Sequence, residues 1–279
     1  MNQCGHACSI GAGYVGRRWL ASLAARGWEV SGTTRSRDKA DALLREGIST
    51  YRLDNVPWAE LTHLLITAAP DEAGDAVYRA AHKIIAASPH IEWIGYLSTT
   101  GVYGDHKGAW VDEATPLQPE SARSMARVMA ESQWLSLGAH VKIFRLGGIY
   151  GEGRNILEQL HAGTARRILK DGQYFSRIHI EDIVRILHAS MRAPASGAVF
   201  NVCDDLPASA SDVVEYGAKL LGMEPPRAER YGDAALSPML ASFYEANRRV
   251  DNSKIKRELG IELAYPTYKH GLRAILGVD

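Results

Sequence analysis

The run Ile10-Gly11-Ala12-Gly13-Tyr14-Val15-Gly16 constrains this chain more than any other stretch. Its glycines, spaced G-x-G-x-x-G, separate the apolar tetrad Ala7-Cys8-Ser9-Ile10 from an amphipathic stretch running from Tyr14 to Arg26. The tetrad reads as a short strand. Val15, Trp19, Leu20 and Leu23 line one side of the following helix, and Gly27 stops it. At such a junction each glycine has a physical task. Gly11 permits the tight turn, Gly13 lets an anionic group approach the backbone, and Gly16 lets helix and strand pack closely. The N–H groups opening the helix then face that anion, so the pyrophosphate of a dinucleotide is the expected ligand. Tyr14 and Val15 belong to the same turn and to the same expected site.

The strand-helix rhythm continues to residue 146. Strands are expected over 28–33, 48–53, 63–67, 91–98 and 141–146, and helices over 38–46, roughly 71–87 and about 119–137, with Ser36 capping the first of these. Parallel strands need crossovers, and helices supply them. The fold class is therefore α/β, a Rossmann-type doubly wound parallel sheet. Beyond Tyr150 the rhythm loosens and Gly and Pro become frequent, Pro194 among them. One further strand over 198–202 is expected to join the sheet. Residues 1–150 then form an NAD(P)-binding domain, with about 174–202 returning to its sheet. Residues 151–173 and 203–279 form a smaller, interleaved C-terminal region of short helices and loops that caps the ends of the strands.

Composition narrows the partner. Lys and Arg number 32 and so do Asp and Glu, which leaves no general pull on nucleic acid or an anionic membrane and points to a small-molecule partner. No apolar run approaches the ~20 residues that span a bilayer. Three cysteines fit a reducing cytoplasm better than a disulfide framework. Cys4-x-His6-x-Cys8 would put three metal donors on one face of an extended strand. No fourth ligand is near in sequence, so no metal site is expected.

The end of the second strand selects the cofactor. NAD sites place an acid there for the ribose 2′-hydroxyl, whereas NADP sites offer Arg and hydroxyls to a 2′-phosphate. The residues here are Thr33-Thr34-Arg35-Ser36-Arg37, with no acid at the tip. A planar guanidinium suits phosphate, so NADP is expected over NAD, with Thr34, Arg35 and Ser36 as contacts. Asp54 stands directly after the third strand. The small residues Ala68, Ala69 and Pro70 after the fourth would let adenosine lie against the backbone.

Several segments, in order along the chain, resemble the extended short-chain dehydrogenase/reductase superfamily of NAD(P)-dependent epimerases and dehydratases. They are the glycine loop, Leu97-Ser98-Thr99-Thr100-Gly101-Val102-Tyr103-Gly104, Val111-Asp112-Glu113, Arg145-Leu146-Gly147-Gly148-Ile149-Tyr150-Gly151, Arg177-Ile178-His179-Ile180-Glu181-Asp182, Phe200-Asn201-Val202 and Arg249-Val250-Asp251. The resemblance implies hydride transfer at a carbonyl or hydroxyl carbon, on a small molecule or a sugar nucleotide. It also implies that the C-terminal region over 151–173 and 203–279 is a substrate domain, with Gly148 beside the cofactor, Asp54 at the adenine amino group, Thr99 holding the substrate oxygen, and the option of a homodimer through the helices near 71–87 and 119–137. One family element is missing. Where the family carries Tyr-x-x-x-Lys, this chain carries Arg123 and Arg127, which resembles the atypical branch of the superfamily. Arg stays protonated at ordinary pH and cannot donate to a new alkoxide. Arg127 is then a candidate for the nicotinamide ribose and a fixed positive charge, and Arg123 for an anionic substrate group. The proton must come from Tyr103, Tyr150, His179 or water, with Tyr103 the first choice. Arg249 and Arg154 are further candidate anion contacts. Arg123, Arg127 and Glu131 also share one helix face, opposite Met125, Val128, Met129 and Leu135, as an ordinary solvated stripe would. The alternative to an enzyme is a non-catalytic NADP-binding regulator or redox sensor.

Overall fold

The computed structural model describes residues 5–71, 74–193 and 198–278, so Cys4 and Pro194 lie outside the described residues. The first elements are β1 (His6–Ile10), α1 (Tyr14–Ala24), β2 (Glu29–Thr33), α2 (Arg37–Arg45), β3 (Ser49–Tyr51), β4 (His63–Ile66), α3 (Ala76–Ala86), β5 (Trp93–Thr99) and, further on, α4 (Ala122–Leu135). Strands Val141–Leu146 and Val199–Val202 complete a seven-stranded sheet. Its order from one edge is β3, β2, β1, β4, β5, Val141–Leu146, Val199–Val202. The pairs β1–β2, β1–β4, β2–β3 and β4–β5 are all parallel. All of β1, β4 and Val141–Leu146 is buried, as central strands covered by helices must be. The order reverses between β1 and β4, and open α/β sheets bind ligands at the carboxyl ends of the strands flanking such a point.

Two helices differ from expectation. Helix α3 starts at Ala76, because Asp75 caps it by accepting from Tyr78 N–H at 2.9 Å. Just before it, Asp71 N–H donates to Gly74 C=O at 2.9 Å, closing a turn that needs Gly74 at φ +98°. Residues 72 and 73, expected in this helix, lie outside the described residues. Helix α4 is rotated relative to its hydrophobic pattern. It buries Ser124, Ala130, Glu131 and Trp134 and leaves Met125 and Met129 each half exposed, at 50%. The expected solvated stripe is therefore partly an inward one. Buried Arg145 on the neighbouring strand supplies the physical reason, drawing Glu131 inside with an Arg145 Nη2 to Glu131 Oε2 bond of 2.7 Å.

The chain clusters into two compact units. The first holds residues 1–102, 119–145 and 184–200; the second holds 103–118, 146–183 and 201–279. Residues 103–118, expected with the Rossmann segment, cluster with the second. There His106 and Gly108 N–H groups donate to Asn247 C=O, each at 3.0 Å, and Trp110–Val111 pairs in parallel with Arg249–Val250. Two further short parallel pairs belong to the second unit: Gly148–Tyr150 with Arg177–His179, and Arg167–Leu169 with Ala228–Arg230. Its apolar core gathers Tyr150, Leu157, Val213, Tyr268 and Leu272. A helix over Ile180–Met191 occupies part of the stretch expected to return to the sheet. Among the described residues no helix is long and apolar enough to cross a membrane.

Candidate functional site

In the first unit the glycine loop closes over the ends of β1, β2 and β4. Gly11 sits at φ +95°, a left-handed conformation that L side chains resist. Gly11 N–H donates to Thr33 Oγ1 at 2.8 Å and Ala12 N–H to Thr33 C=O at 2.9 Å, which stitches the loop to the tip of β2. A Cβ on Gly16 would lie 2.2 Å from Ser9 Oγ and 2.9 Å from Gly11 C=O, so only glycine lets α1 approach β1 this closely. A Cβ on Gly13 would meet nothing within 4 Å. The bareness of Gly13 thus serves no internal packing. Gly13 is the N-cap of α1, whose first turn holds no acid, and Arg17 N–H donates to Gly13 C=O at 2.8 Å. An open backbone at an uncapped positive helix end fits a diphosphate.

Around this loop, Arg35 is exposed at the end of β2, and Thr34 Oγ1 accepts from Ser36 N–H at 3.2 Å. Ser36 Oγ in turn caps α2 through Lys39 N–H at 3.4 Å. Asp38, the first acid in this stretch, lies inside α2. Ala68 and Pro70 are half-buried, Ala69 is exposed, and Ala68 N–H donates to Ile10 C=O at 3.2 Å, which fixes the end of β4 beside the loop. Asp54 is exposed after β3, with Arg52 Nε at 3.7 Å.

Farther along the sheet, Thr99 ends β5 half-buried. Its Oγ1 accepts from Gly101 N–H at 3.1 Å, which leaves its own proton for another acceptor. Arg127 is tethered to the same strand. Its guanidinium donates to Tyr96 OH at 3.0 Å and Leu97 C=O at 2.8 Å. Burial pushes the Tyr96 hydroxyl up to about 12, so it stays a neutral phenol at physiological pH. Arg123, one turn earlier, is exposed. Glycine loop, Ala68, Thr99 and Arg127 thus share the carboxyl end of one sheet.

In the second unit Tyr103 is fully buried at 0% exposure, and its hydroxyl donates to Asn201 Oδ1 at 2.7 Å. Asn201 in turn accepts nothing at its N–H but gives it to Glu113 at 2.7 Å, and its side-chain amide donates to Asp251 C=O at 3.0 Å. A phenol enclosed in that network ties segments together. Gly104 follows at φ +74° because a Cβ there would fall 1.9 Å from Gln118 C=O. Asp182, 0% exposed, braces the chain by accepting from Ala264 and Tyr265 N–H at 2.7 and 2.9 Å. Arg249 is held by its Nε donating to Gly108 C=O at 2.7 Å and by the rings of Tyr174 and Trp110 at 4.9 and 5.4 Å. His179 is buried between Tyr150 and Tyr265, with ring centroids at 5.1 and 4.1 Å. Gly148 is exposed on its short strand.

Tyr150 and Arg154 line a cavity of about 390 Å³ within this unit. Arg166, Arg177, Tyr244 and Tyr268 line it too, and sequence reasoning missed all four. Arg177 immediately precedes the Ile178-His179 segment, and that adjacency was the available signal. It reads as structural as well, since its guanidinium donates to Phe175 and Ala208 C=O at 2.9 Å each. Burial pushes the nearby Asp204 carboxyl up to about 7, outweighing the Leu206 N–H and the Arg177 charge that pull it down. A carboxyl whose folded value exceeds its unfolded value stabilises the fold while protonated and withdraws that stability as pH rises toward 7. Asp204→Asn is therefore expected to flatten the decline between about pH 4 and 7, where the slope from this group is at most about 1.4 kcal/mol per pH unit. Thermal midpoints of both proteins across that range check this. Parallel profiles would contradict it.

A β3-β2-β1-β4-β5 order with a glycine loop at its switch point defines a dinucleotide-binding Rossmann protein. The chain belongs to the NAD dependent epimerase/dehydratase family, which residues 11–203 match. It is 31% identical to Protein YeeZ of Escherichia coli K12, over 92% of this chain and 95% of that one. A solved structure described as a functionally unknown conserved protein, from Silicibacter pomeroyi, is 47% identical, with TM-score 0.92 over 98% of both chains. The human epimerase family protein SDR39U1, solved with NADPH, shares the fold with TM-score 0.76 at 18% identity, over 98% of this chain and 99% of that one.

Proposed function

We propose that this chain is an NADP-dependent oxidoreductase or epimerase-like enzyme acting on a small carbonyl, hydroxyl or sugar-nucleotide substrate that carries an anionic group. The observation that carries this reading is the open backbone at Gly13 together with Arg35, rather than an acid, at the tip of β2. When bound, the nicotinamide supplies or accepts hydride. Gly11, Gly13 and the start of α1 hold the diphosphate, and Arg35 with Thr34 and Ser36 holds the 2′-phosphate. Thr99 donates its hydroxyl proton to the substrate oxygen, and Arg127 contributes fixed positive charge where oxyanion character develops. Arg123, exposed one turn before Arg127 on α4, receives the anionic group. Tyr150 is one of three phenols on the cavity of the second unit, with Tyr244 and Tyr268. Burial raises its hydroxyl above the ordinary tyrosine value, so it stays protonated at neutral pH and is a weaker acid than a free tyrosine. Exposed Met125 and Met129 on α4 and Ile84 on α3 support a homodimer through those helices.

The second reading, a regulator that binds NADP without turnover, is favoured by one observation: both positions of the usual Tyr-Lys pair are arginine. NADPH oxidation across a carbonyl panel separates the two. Arg35→Ala is expected to weaken NADPH binding about 10- to 100-fold, the worth of charge-assisted phosphate contacts, with little change for NADH. Calorimetry with both nucleotides measures it, and equal losses would remove the 2′-phosphate assignment.

A further inference from the structure

The first unit carries a second constellation, at the opposite end of its strands from the glycine loop. His6 opens β1, Glu29 opens β2 directly beside it in the parallel register, and Glu60 lies in the segment leading into β4. One donor atom from each of the three lies within 4.8 Å of the others. The His6 side chain is 5% exposed, whereas that of Glu29 is 73% exposed. His6 Nε2 is fixed against Ser31 Oγ at 2.9 Å, which sets the ring and directs Nδ1 toward the carboxylates. Nδ1 is buried and makes no hydrogen bond, and Glu29 Oε1 stands 3.7 Å away, beyond hydrogen-bond range.

We propose that His6 Nδ1, Glu29 and Glu60 bind a divalent first-row metal ion, with Zn²⁺ the preferred occupant. With the ring proton on Nε2, donated to Ser31 Oγ, Nδ1 presents a lone pair to two carboxylates, and a cation satisfies all three acceptors. A four-coordinate zinc with bonds of about 2.0–2.1 Å separates its ligand atoms by roughly 3.4 Å, so small rotations of two exposed glutamates close the site. The Ser31 contact is the outer-shell bond that ligating histidines use to fix their tautomer. Water completes the coordination.

The neighbouring Cys8 is not a ligand. It is fully buried, and its sulfur is not among the donor atoms that gather at His6. Linear spacing around Cys4, His6 and Cys8 therefore points to the wrong donors, because the partners of His6 arrive from residues 29 and 60. Along β1 the site stands about 13 Å from the glycine loop, at ~3.3 Å per residue. It is a clip across the starts of three neighbouring segments, separate from dinucleotide binding.

The test uses the tag-free full chain, chelator-washed, with Zn²⁺ alone as probe. One equivalent is expected to bind by calorimetry at pH 7 and to raise the thermal midpoint by about 5 °C at a hundredfold excess over Kd. Glu29→Gln and Glu60→Gln, both on exposed side chains, are each expected to weaken Zn²⁺ at least about tenfold, with NADPH affinity unchanged. The double variant is expected to lose the midpoint shift. Shifts of the His6 ring nitrogens on titration locate the ion without reference to activity. Wild-type binding weaker than about 1 mM, or equal binding by the double variant, would overturn the proposal.

Discussion

Gly13→Ala should abolish most dinucleotide affinity while leaving the thermal midpoint where it was. The added methyl meets no protein atom within 4 Å, so folding does not register it. Its φ of −84° is open to any L residue. The same methyl stands where a diphosphate must touch the backbone to reach the first turn of α1. A loss of about 100-fold, or ~2.7 kcal/mol, is expected by calorimetry with NADPH. Gly16→Ala supplies the contrast. There the methyl meets Ser9 Oγ at 2.2 Å and the Gly11 carbonyl at 2.9 Å, so the cost falls on the fold, at about 1–3 kcal/mol. Two substitutions three residues apart thus separate binding from stability. If Gly13→Ala bound NADPH as tightly as the parent, the loop would be a structural turn and the cofactor assignment would fail with it.

The sheet and the glycine loop were legible because both are local. A strand of five residues, a turn that requires glycine and an amphipathic helix each leave a period or a spacing within a dozen residues. The second unit left little trace. Its strands are two or three residues long, too short to carry alternation, and they pair across long sequence separations, as Trp110–Val111 does with Arg249–Val250. The burial of Tyr103 left no trace for the same reason. Its position before Gly104 advertises an exposed loop, but its partner Asn201 is 98 residues away. Helix α4 misled differently. Its methionines mark an apolar face by composition, yet the sheet beneath presents Arg145, Ser98 and the carbonyl of Leu97, and these recruit the charged side instead.

That inversion makes Glu131 the residue whose loss should cost the fold most. Glu131 is 3% exposed and Arg145 is 5% exposed. Arg145 donates through Nη2 at 2.7 Å and through Nε at 3.2 Å to both carboxylate oxygens, and Ser98 Oγ donates to Oε1. Glu131→Gln preserves size and an acceptor for Ser98, but leaves the Arg145 charge buried without its counter-charge. Removing one partner of such a pair costs about 3–5 kcal/mol, whereas an exposed pair is worth about 0–1 kcal/mol. The expected fall in thermal midpoint is roughly 10 °C. Combining Glu131→Leu, Arg145→Met and Ser98→Ala should recover most of it, since apolar replacement of a whole buried pair is often neutral. The single variant bears on the site as well. Glu131 and Arg127 sit one turn apart on α4, and they anchor it to residues 96–98 of β5, directly before Thr99. A midpoint drop of only 1–2 °C in Glu131→Gln would mean that water reaches the pair and that the stripe is solvated after all, as its spacing alone suggests.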